Sequence, residues 1–136
     1  MSDNYLHSEL TSEIIKAYYK VYNELGYGFL EKVYENAMLI QLKNQGLNCL
    51  SQHSIEVFYN ECRVGFYIAD VIVESSVIIE IKAAEALCEE HEAQLINYLK
   101  ATSIEVGMLL NFGKKAQFKR KVFSSEYKKL KPLSPS

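Results

Sequence analysis

The chain has few cysteines, no excess of positive charge and no long apolar run, and each shortage excludes a class of protein. Its three cysteines, Cys49, Cys62 and Cys88, are far apart, and none stands in a C-x-x-C pair or beside a histidine at zinc-ligand spacing. Scattered cysteines in odd number are typical of reduced, packed thiols. No apolar run approaches the roughly 20 residues that a membrane-spanning helix needs. We therefore expect a cytoplasmic protein with no membrane partner.

The length and composition indicate one domain. With 136 residues, of which 49% are hydrophobic, the chain is long enough for one sizeable core and too short for two. It contains no repeat, no low-complexity segment and no internal linker. We expect a single domain over residues 1–130, followed by a short C-terminal tail over residues 131–136.

The net charge of −2 argues against a protein that coats nucleic acid, but the charges are unevenly distributed. Residues 1–111 contain 7 Lys and Arg residues and 16 Asp and Glu residues, whereas residues 112–136 contain 8 and 1. The basic residues of this last segment are Lys114, Lys115, Lys119, Arg120, Lys121, Lys128, Lys129 and Lys131. Such a block can bind phosphates, and each contact makes binding more sensitive to salt. The alternative is a solvated helix face followed by a disordered tail.

Apolar residues at helical spacing predict three helices. They recur at intervals of about three to four residues between Leu10 and Leu25, which predicts an amphipathic helix over residues 9–25, ended by Gly26. A second helix is expected from near Phe29 to Gly46, a residue suited to a left-handed cap. The apolar side of this helix is predicted to contain Leu30, Val33, Tyr34, Ala37 and Ile40. Helical spacing returns over residues 89–101.

Alternating apolar residues predict the strands. Residues 55–59 and 64–70 alternate on either side of Asn60-Glu61, which indicates a hairpin. A second turn at residues 74–76 leads into a strand over residues 77–82 that is buried on both faces, and residues 106–112 form a last strand. The helix between these two strands is long enough to make them parallel. We predict an α/β fold, a mixed β-sheet flanked by helices, with elements in the order ααβββαβ.

Three ionisable side chains, Asp70, Glu80 and Lys82, lie inside two predicted strands of Val and Ile, where an unpaired charge costs several kcal/mol. Residues two apart on a strand share a face, so Glu80 and Lys82 project together. Antiparallel pairing through the turn at 74–76 places Asp70 opposite or diagonal to Glu80. Two such carboxylates can hold one hard cation such as Mg²⁺, with Lys82 orienting or helping to deprotonate an attacking water. The competing interpretation is an ion pair of Glu80 and Lys82 on an exposed edge.

These residues match a known pattern. Asp70, then nine intervening residues, then Glu80-Ile81-Lys82 resembles the D-x(n)-E-x-K core of the PD-(D/E)XK nuclease superfamily. The stretch GFLEKVY at residues 28–34 resembles the more specific G-x-x-E-x-x-Y signature of the GxxExxY protein family, small bacterial and archaeal proteins placed in that superfamily. The resemblance covers residues 10–124.

The resemblance implies a restriction-endonuclease-like core and a nuclease that hydrolyses phosphodiester bonds through a metal-activated water, with nucleic acid, DNA above all, as the partner. The implied catalytic residues are Asp70, Glu80, Lys82 and Glu31. The implied ligands of Mg²⁺ or Mn²⁺ are Asp70, Glu80, the backbone carbonyl of Ile81, and Glu31. For Glu31 the alternative is an ordinary solvated glutamate near a helix N-terminus.

The expected substrate-binding residues are Gln94, Tyr98, Tyr34, Lys114 and Lys115. Gln94 and Tyr98 resemble a Q-x-x-x-Y motif of several superfamily branches and share one helix face, so they can position Lys82 or contact a phosphate. The alternative for this pair is the polar stripe of a surface helix. Tyr34 is expected on the same helix face as Glu31.

Other functions and an oligomeric state stay open at this point. A nuclease-fold module that binds nucleic acid or a protein partner without cutting is one alternative, although the intact Asp70, Glu80 and Lys82 favour the enzyme. A nucleotide hydrolase of another kind is a more distant one, because no glycine-rich phosphate loop is present. The 10 tyrosines favour core packing and a homodimer surface over a platform for stacking bases.

Overall fold

The computed structural model of the chain describes residues 6–128. Its elements are α1 (Ser8–Leu25), α2 (Glu31–Asn44), β1 (Cys49–Tyr59), β2 (Cys62–Val73), β3 (Val77–Lys82), α3 (Glu89–Lys100), β4 (Val106–Phe112), β5 (Ala116–Val122) and a 3-10 turn (Ser125–Tyr127). None of the helices within residues 6–128 combines the length and the apolar composition that a membrane crossing needs. The predicted tail, the boundary at residue 130, Lys129 and Lys131 lie outside the described residues.

The five strands form one mixed sheet in the order β1-β2-β3-β4-β5. All neighbouring pairs are antiparallel except β3 and β4, which are parallel because α3 carries the chain back across the sheet between them. The predicted α/β fold and the order ααβββαβ are confirmed. The structure adds β5 at the sheet edge, so the alternative of a solvated helix face is wrong for residues 116–122.

Strand β5 alternates between residues that face the core and residues that face outward, but one of its core-facing residues is charged. Ala116, Phe118 and Val122 pack against the core, as a strand of period two requires. The fourth residue of this set is Arg120, whose guanidinium donates a hydrogen bond to the carbonyl of Leu6. Because a cation occupies an apolar position, the segment resembles a basic surface block in sequence.

The sheet carries a hydrophobic cluster on each face. Val77, Ile79 and Ile81 of β3 pack into the cluster beneath α1 and α2, whereas Ile78 packs into the cluster beneath α3. This is the alternation that the sequence predicts for a strand buried on both faces. By the same alternation Glu80 points to the face covered by α3.

The apolar side predicted for α2 is largely wrong. Leu30, Val33 and Ile40 are exposed, and the buried residues of the helix are Tyr34, Glu35, Met38 and Leu42. Tyr34 is the one fully buried member of the predicted set, and Ala37 is partly buried. The helix is rotated so that the buried carboxylate of Glu35 faces inward, and it begins at Glu31 because Leu30 is extended.

The β1–β2 hairpin is longer than the rest of the sheet. Its turn at Asn60 and Glu61 has φ angles of 49° and 65°, the left-handed conformation of a tight hairpin turn. Only residues 71–73 of β2 pair with β3. The far end of the hairpin, residues 56–66, therefore continues beyond β3 as a two-stranded outer ribbon. The point where β2 separates from β3 is the position of Asp70.

Candidate functional site

The two predicted carboxylates meet where β2 separates from β3. Asp70 and Glu80 directly follow the last paired residues, Val71 and Ile79. The backbone N–H of Asp70 donates to Glu80 Oε2 at 2.9 Å, and the N–H of Ile81 donates to Asp70 Oδ2 at 2.8 Å. These side-chain hydrogen bonds continue the ladder beyond its last main-chain pair. They fix one oxygen of each carboxylate and bring the two acids together.

The backbone of β2 is irregular at Asp70. Ala69 and Ile72 both pack beneath α3 although they are three residues apart, whereas Val71 packs on the opposite face. On β1 the residue facing this point, Gln52, has a φ of 53°, and the pair Gln52–Asp70 is absent from the register of the two strands. Irregularities of this kind redirect a side chain. Strict alternation in the sequence does not predict it.

Burial and mutual repulsion dominate the electrostatics of the pair. Burial of the Glu80 carboxyl, and next the negative charge of Asp70, raise the pKa of Glu80 to about 8. Burial also raises the pKa of Asp70, partly offset by the hydrogen bond from Ile81. Raised carboxyl pKa values mean that the surrounding protein does not compensate the two negative charges. Clusters of perturbed carboxyls in a cleft are candidates for functional sites.

Lys82 lies on the same face of β3, two residues after Glu80, and is half-buried. Its positive charge lowers the pKa of both Asp70 and Glu80, which places it in their neighbourhood, but burial outweighs this effect. None of the ion pairs within residues 6–128 includes Lys82. The competing interpretation, a Glu80–Lys82 ion pair on an exposed edge, is therefore wrong for a site in which Glu80 is only 5% exposed.

Glu31 is the first residue of α2 and is exposed. Its negative charge raises the pKa of both Asp70 and Glu80, so its carboxylate lies within electrostatic range of the pair. Its place at a helix N-terminus also agrees with the alternative, a glutamate held there by the helix dipole. The structure brings Glu31 to the site without fixing it by a hydrogen bond from residues 6–128.

Glu35 is a second carboxylate of α2 near the site, and it is not among the site residues predicted from the sequence. It is 5% exposed and accepts hydrogen bonds from Gln52 Nε2 at 2.8 Å and Ser51 Oγ at 3.3 Å, and Lys32 Nζ lies 3.0 Å from its Oε2. Its charge contributes to the raised pKa of Asp70. A signal was available, because Glu35 stands four residues after Glu31 and shares its helix face.

Helix α3 presents Gln94 and Tyr98 to the same site. Gln94 Nε2 donates to the Tyr98 hydroxyl at 2.9 Å. Burial, and then the charges of Glu80 and Asp70, raise the pKa of Tyr98 to about 12. Tyr98 is only 3% exposed, so the alternative of a solvated polar stripe is wrong for this residue.

Tyr34 lies in the core and not at a substrate surface. It has no exposed surface, and its ring stacks on Phe112 with centroids 4.2 Å apart. Its hydroxyl donates to the carbonyl of Gly26 at 2.7 Å and accepts from the N–H of Phe29 at 3.1 Å. This geometry corrects the expected substrate contact, since Tyr34 holds the loop between α1 and α2.

A cavity of about 590 Å³ lies beside Glu31. Its walls are the α1–α2 loop, the loop after β3 and the β4–β5 turn, and it is lined by Tyr27, Gly28, Phe29, Leu30, Glu31, Ala83, Ala84, Glu85, Phe112, Gly113 and Lys114. Lys115 follows Lys114 in the same turn, and both are exposed. The structure therefore brings Lys114 to a cavity shared with Glu31, with Lys115 next to it in the chain.

The donor set of the site suits a hard divalent cation. Within residues 6–128 no group of three or more His, Cys, Asp and Glu side chains is arranged as a metal site. The site offers two carboxylates, and the second oxygen of each accepts no hydrogen bond from these residues. One or two carboxylates completed by a carbonyl, waters and substrate oxygens form the set that Mg²⁺ prefers. Such a ligand set could be supplied here by oxygen atoms of Asp70, Glu80, the Ile81 carbonyl and Glu31.

Comparison with known proteins agrees with this geometry. A family model described as the PD-(D/E)XK nuclease superfamily matches residues 8–121. No curated protein matches the chain significantly. Of three solved chains that match, one titled "Crystal structure of SSO0001" has 21% sequence identity and a TM-score of 0.53 over 76% of this chain. This chain matches 50% of the length of that protein, and the likeness shows the fold.

Proposed function

This chain belongs to the PD-(D/E)XK nuclease superfamily, and from that premise we propose that it is a Mg²⁺- or Mn²⁺-dependent nuclease that hydrolyses phosphodiester bonds of DNA. We place it in the GxxExxY group on the residues Gly28, Glu31 and Tyr34. The observation that supports the proposal is the pair of partly buried Asp70 and buried Glu80, fixed by two backbone hydrogen bonds, with no ion pair to either acid within residues 6–128.

The carboxylates of Asp70 and Glu80, with the Ile81 carbonyl and Glu31, would hold the divalent cation. When bound, the cation supplies positive charge that stabilises the transition state at phosphorus and favours ionisation of water. The backbone hydrogen bonds to Asp70 and Glu80 keep both side chains in place before the cation arrives, which limits the reorganisation that binding requires.

Lys82 and the helix α3 act on the reacting groups. Lys82 projects on the face of Glu80, where its ammonium group orients the attacking water or, as the neutral amine, receives the proton of that water. The Gln94 amide is anchored on the Tyr98 hydroxyl, and this pair positions Lys82 or contacts a phosphate oxygen. Lys114 and Lys115 hold phosphates further along the strand. Tyr34 contributes by positioning the loop before Glu31.

The test is incubation of the pure full chain with labelled single-stranded and duplex DNA and RNA in Mg²⁺ or Mn²⁺. We expect cleavage by the wild type and a loss of about a hundredfold or more in Glu80→Gln and Lys82→Ala, because each removes a group used in the reaction. Glu56→Gln, at an exposed carboxylate of the outer ribbon, serves as the matched control and keeps its activity. Far-ultraviolet circular dichroism checks that each variant is folded.

Binding without cutting in every metal and substrate would contradict the enzyme. That result would favour the second interpretation, a catalytically silent nuclease-fold module that binds nucleic acid or a protein partner. Cleavage that survives unchanged in Glu80→Gln would place the chemistry elsewhere.

A further inference from the structure

The cavity beside Glu31 has apolar walls that the described fold leaves uncovered. Tyr27 is 58% exposed, Phe29 48% and Leu30 79%, and all three line the cavity. They follow one another within four residues, directly before Glu31. Contiguous exposed apolar side chains at the edge of a cavity are candidates for a binding surface.

The walls of the cavity are fixed by buried side chains. On one side the Tyr34 hydroxyl bonds the N–H of Phe29 and the carbonyl of Gly26. On another side the Asn111 amide accepts from the N–H of Ala84 and donates to its carbonyl, each at 2.9 Å. The Phe29 ring lies edge-on to Tyr34, with centroids 6.0 Å apart, so its position is also held. The cavity is therefore formed before any ligand enters it.

The turn between β4 and β5 is held in the same way. The Tyr22 hydroxyl donates to the carbonyl of Gly113 at 2.6 Å. A Cβ added at Gly113 would lie 2.4 Å from the Ala84 carbonyl oxygen, so this turn and the loop after β3 are in direct contact. Lys114 thus extends from a fixed turn into the cavity lining.

The chemistry of the lining selects a flat, neutral, nitrogen-rich group attached to a phosphate. A volume of about 590 Å³ lies in the range of small-molecule sites, roughly 300–1,000 Å³. The carboxylates of Glu31 and Glu85 repel a bare anion but accept hydrogen bonds from N–H groups. The rings of Tyr27 and Phe29 can stack on a π face. The ammonium group of Lys114 can pair with a phosphate next to that face.

We propose that this cavity binds an unpaired nucleobase of the strand that is cut at Asp70 and Glu80, so that the substrate is single-stranded or locally unpaired nucleic acid. The inference rests on the proposed function and names its substrate. Glu31 connects the two places, since it lines the cavity and its negative charge acts on both Asp70 and Glu80. A base in an intact duplex has both faces stacked and its pairing edge occupied, so it cannot enter.

The test measures binding and cutting separately with the full chain. A short fluorescein-labelled DNA strand of mixed sequence, alone or annealed to its complement, is titrated in EDTA and followed by fluorescence anisotropy. Phe29→Leu keeps an apolar contact with Tyr34 but removes the ring, and Phe29→Tyr restores a ring. Tyr59→Leu, at a 67% exposed aromatic residue beside the β1–β2 turn, is the matched control. Thermal melting shows whether each variant is folded.

We expect the single strand to bind more tightly than the duplex, and Phe29→Leu to weaken that binding by roughly 5- to 150-fold, the effect of removing one base–aromatic contact. Phe29→Tyr and Tyr59→Leu should bind as the wild type does. Equal binding of single strand and duplex, equal effects of Phe29→Leu and Tyr59→Leu, or no binding at all would each overturn the proposal.

Cleavage in Mn²⁺ separates the two proposals. Single-strand binding that depends on the Phe29 ring, without cleavage of any substrate, would keep the nucleobase site and remove the nuclease. Preferred cleavage of intact duplex that is lost in Glu80→Gln but unchanged in Phe29→Leu would keep the nuclease and overturn the nucleobase site.

Discussion

Glu80 is buried, and its ionisation opposes folding in the absence of a cation. Its pKa rises from 4.5 to about 8 on folding, so the folded chain holds a proton that the unfolded chain releases. The free energy of unfolding of the metal-free chain should therefore fall as the pH rises through this interval. Glu80→Gln removes the ionisation. Near pH 8 its free energy of unfolding should therefore exceed that of the wild type by a value on the order of 3 kcal/mol.

Urea denaturation in EDTA at several pH values measures this difference. The gain should vanish below about pH 5, where the carboxyl is protonated in both states. Glu56→Gln, at an exposed carboxylate paired with Arg63, is the control and should show no comparable gain in stability. If the free energies of unfolding of the wild type and Glu80→Gln changed with pH in the same way, burial would not raise the pKa of Glu80.

Binding of a cation at Asp70 should stabilise the folded chain. A cation that binds only the folded chain stabilises it by about 2.7 kcal/mol at a concentration 100 times its dissociation constant. We expect the melting temperature of the wild type to rise by several degrees in Mn²⁺ and that of Asp70→Asn to stay constant. Glu61→Gln, in the β1–β2 turn, should respond as the wild type does. An equal rise in Asp70→Asn would place the cation at other ligands.

The candidate site was predictable where a single residue contradicts its surroundings. Asp70, Glu80 and Lys82 are charges among Val and Ile, and alternation along β3 places Glu80 and Lys82 on one face, whereas the irregular backbone of β2 at Asp70 becomes visible only in the structure. The burial of Glu35 was not predicted because it depends on how α2 is rotated. The apolar residues Val33 and Ile40 are exposed, so they indicate a buried side of the helix that differs from the real one. An apolar period in sequence does not distinguish core packing from the lining of a cavity.

At the scale of elements, the loop between α1 and α2 depends on one hydroxyl. Tyr34→Phe keeps the ring on Phe112 but removes the hydrogen bonds to Gly26 and Phe29. We expect a loss of about 1 kcal/mol in the free energy of unfolding and weaker binding of single-stranded DNA, because the cavity wall loosens. Chemical denaturation and anisotropy measure the two effects.

The exposed Tyr59 supplies the control for this substitution. Tyr59→Phe removes a hydroxyl from a residue that is 67% exposed, and it should change neither quantity. Unchanged stability and unchanged binding in Tyr34→Phe would show that its hydrogen bonds do not hold the loop.

Elements were predictable where local chemistry decides them. The turns at Asn60-Glu61 and Glu74-Ser75 each contain a small polar residue that favours turns, Asn60 or Ser75, and both turns lie where the sequence places them. Strands β3 and β4 coincide with their apolar runs. Strand β5 was not predicted, because Arg120 occupies an inward position of its alternation, where it bonds the distant Leu6 carbonyl, and the segment therefore lacks the apolar period of a strand.

Across the whole molecule, the basic segment is partly used inside the protein. Lys121 pairs with Glu92 at 2.5 Å, and Lys128 donates to the carbonyls of Thr102 and Ile104, each at 2.6 Å. Arg120 bonds Leu6. The exposed cations that remain within residues 112–128 are Lys114, Lys115 and Lys119. Phosphate contacts should therefore come mainly from the β4–β5 turn and the outer side of β5.

The salt dependence of binding tests this distribution. Replacing both Lys114 and Lys115 by Ala should reduce the slope of log affinity against log salt concentration by roughly 0.7 per lost contact with a single strand. Lys20→Ala, at an exposed lysine of α1, is the control and should leave the slope unchanged. An unaltered slope in the double variant would remove these lysines from the nucleic-acid surface.

The global arrangement was predictable because one connection dictates it. A helix between two apolar strands makes those strands parallel, and the turns on either side make the remaining pairs antiparallel. The length of the hairpin beyond β3 was not predictable, since pairing partners and not propensities decide where a sheet ends. A homodimer stays a prediction.

The outer ribbon extends beyond the rest of the sheet. Residues 56–66 include no buried residue and pair with no third strand in the described chain, and two strands alone are at best marginally stable in water. The ribbon should consequently fray and reclose while helices and acidic centre stay intact. A fluorophore or short insertion at Asn60 would move with the ribbon and leave the core unchanged. The hairpin tip is therefore a suitable attachment point for a reporter.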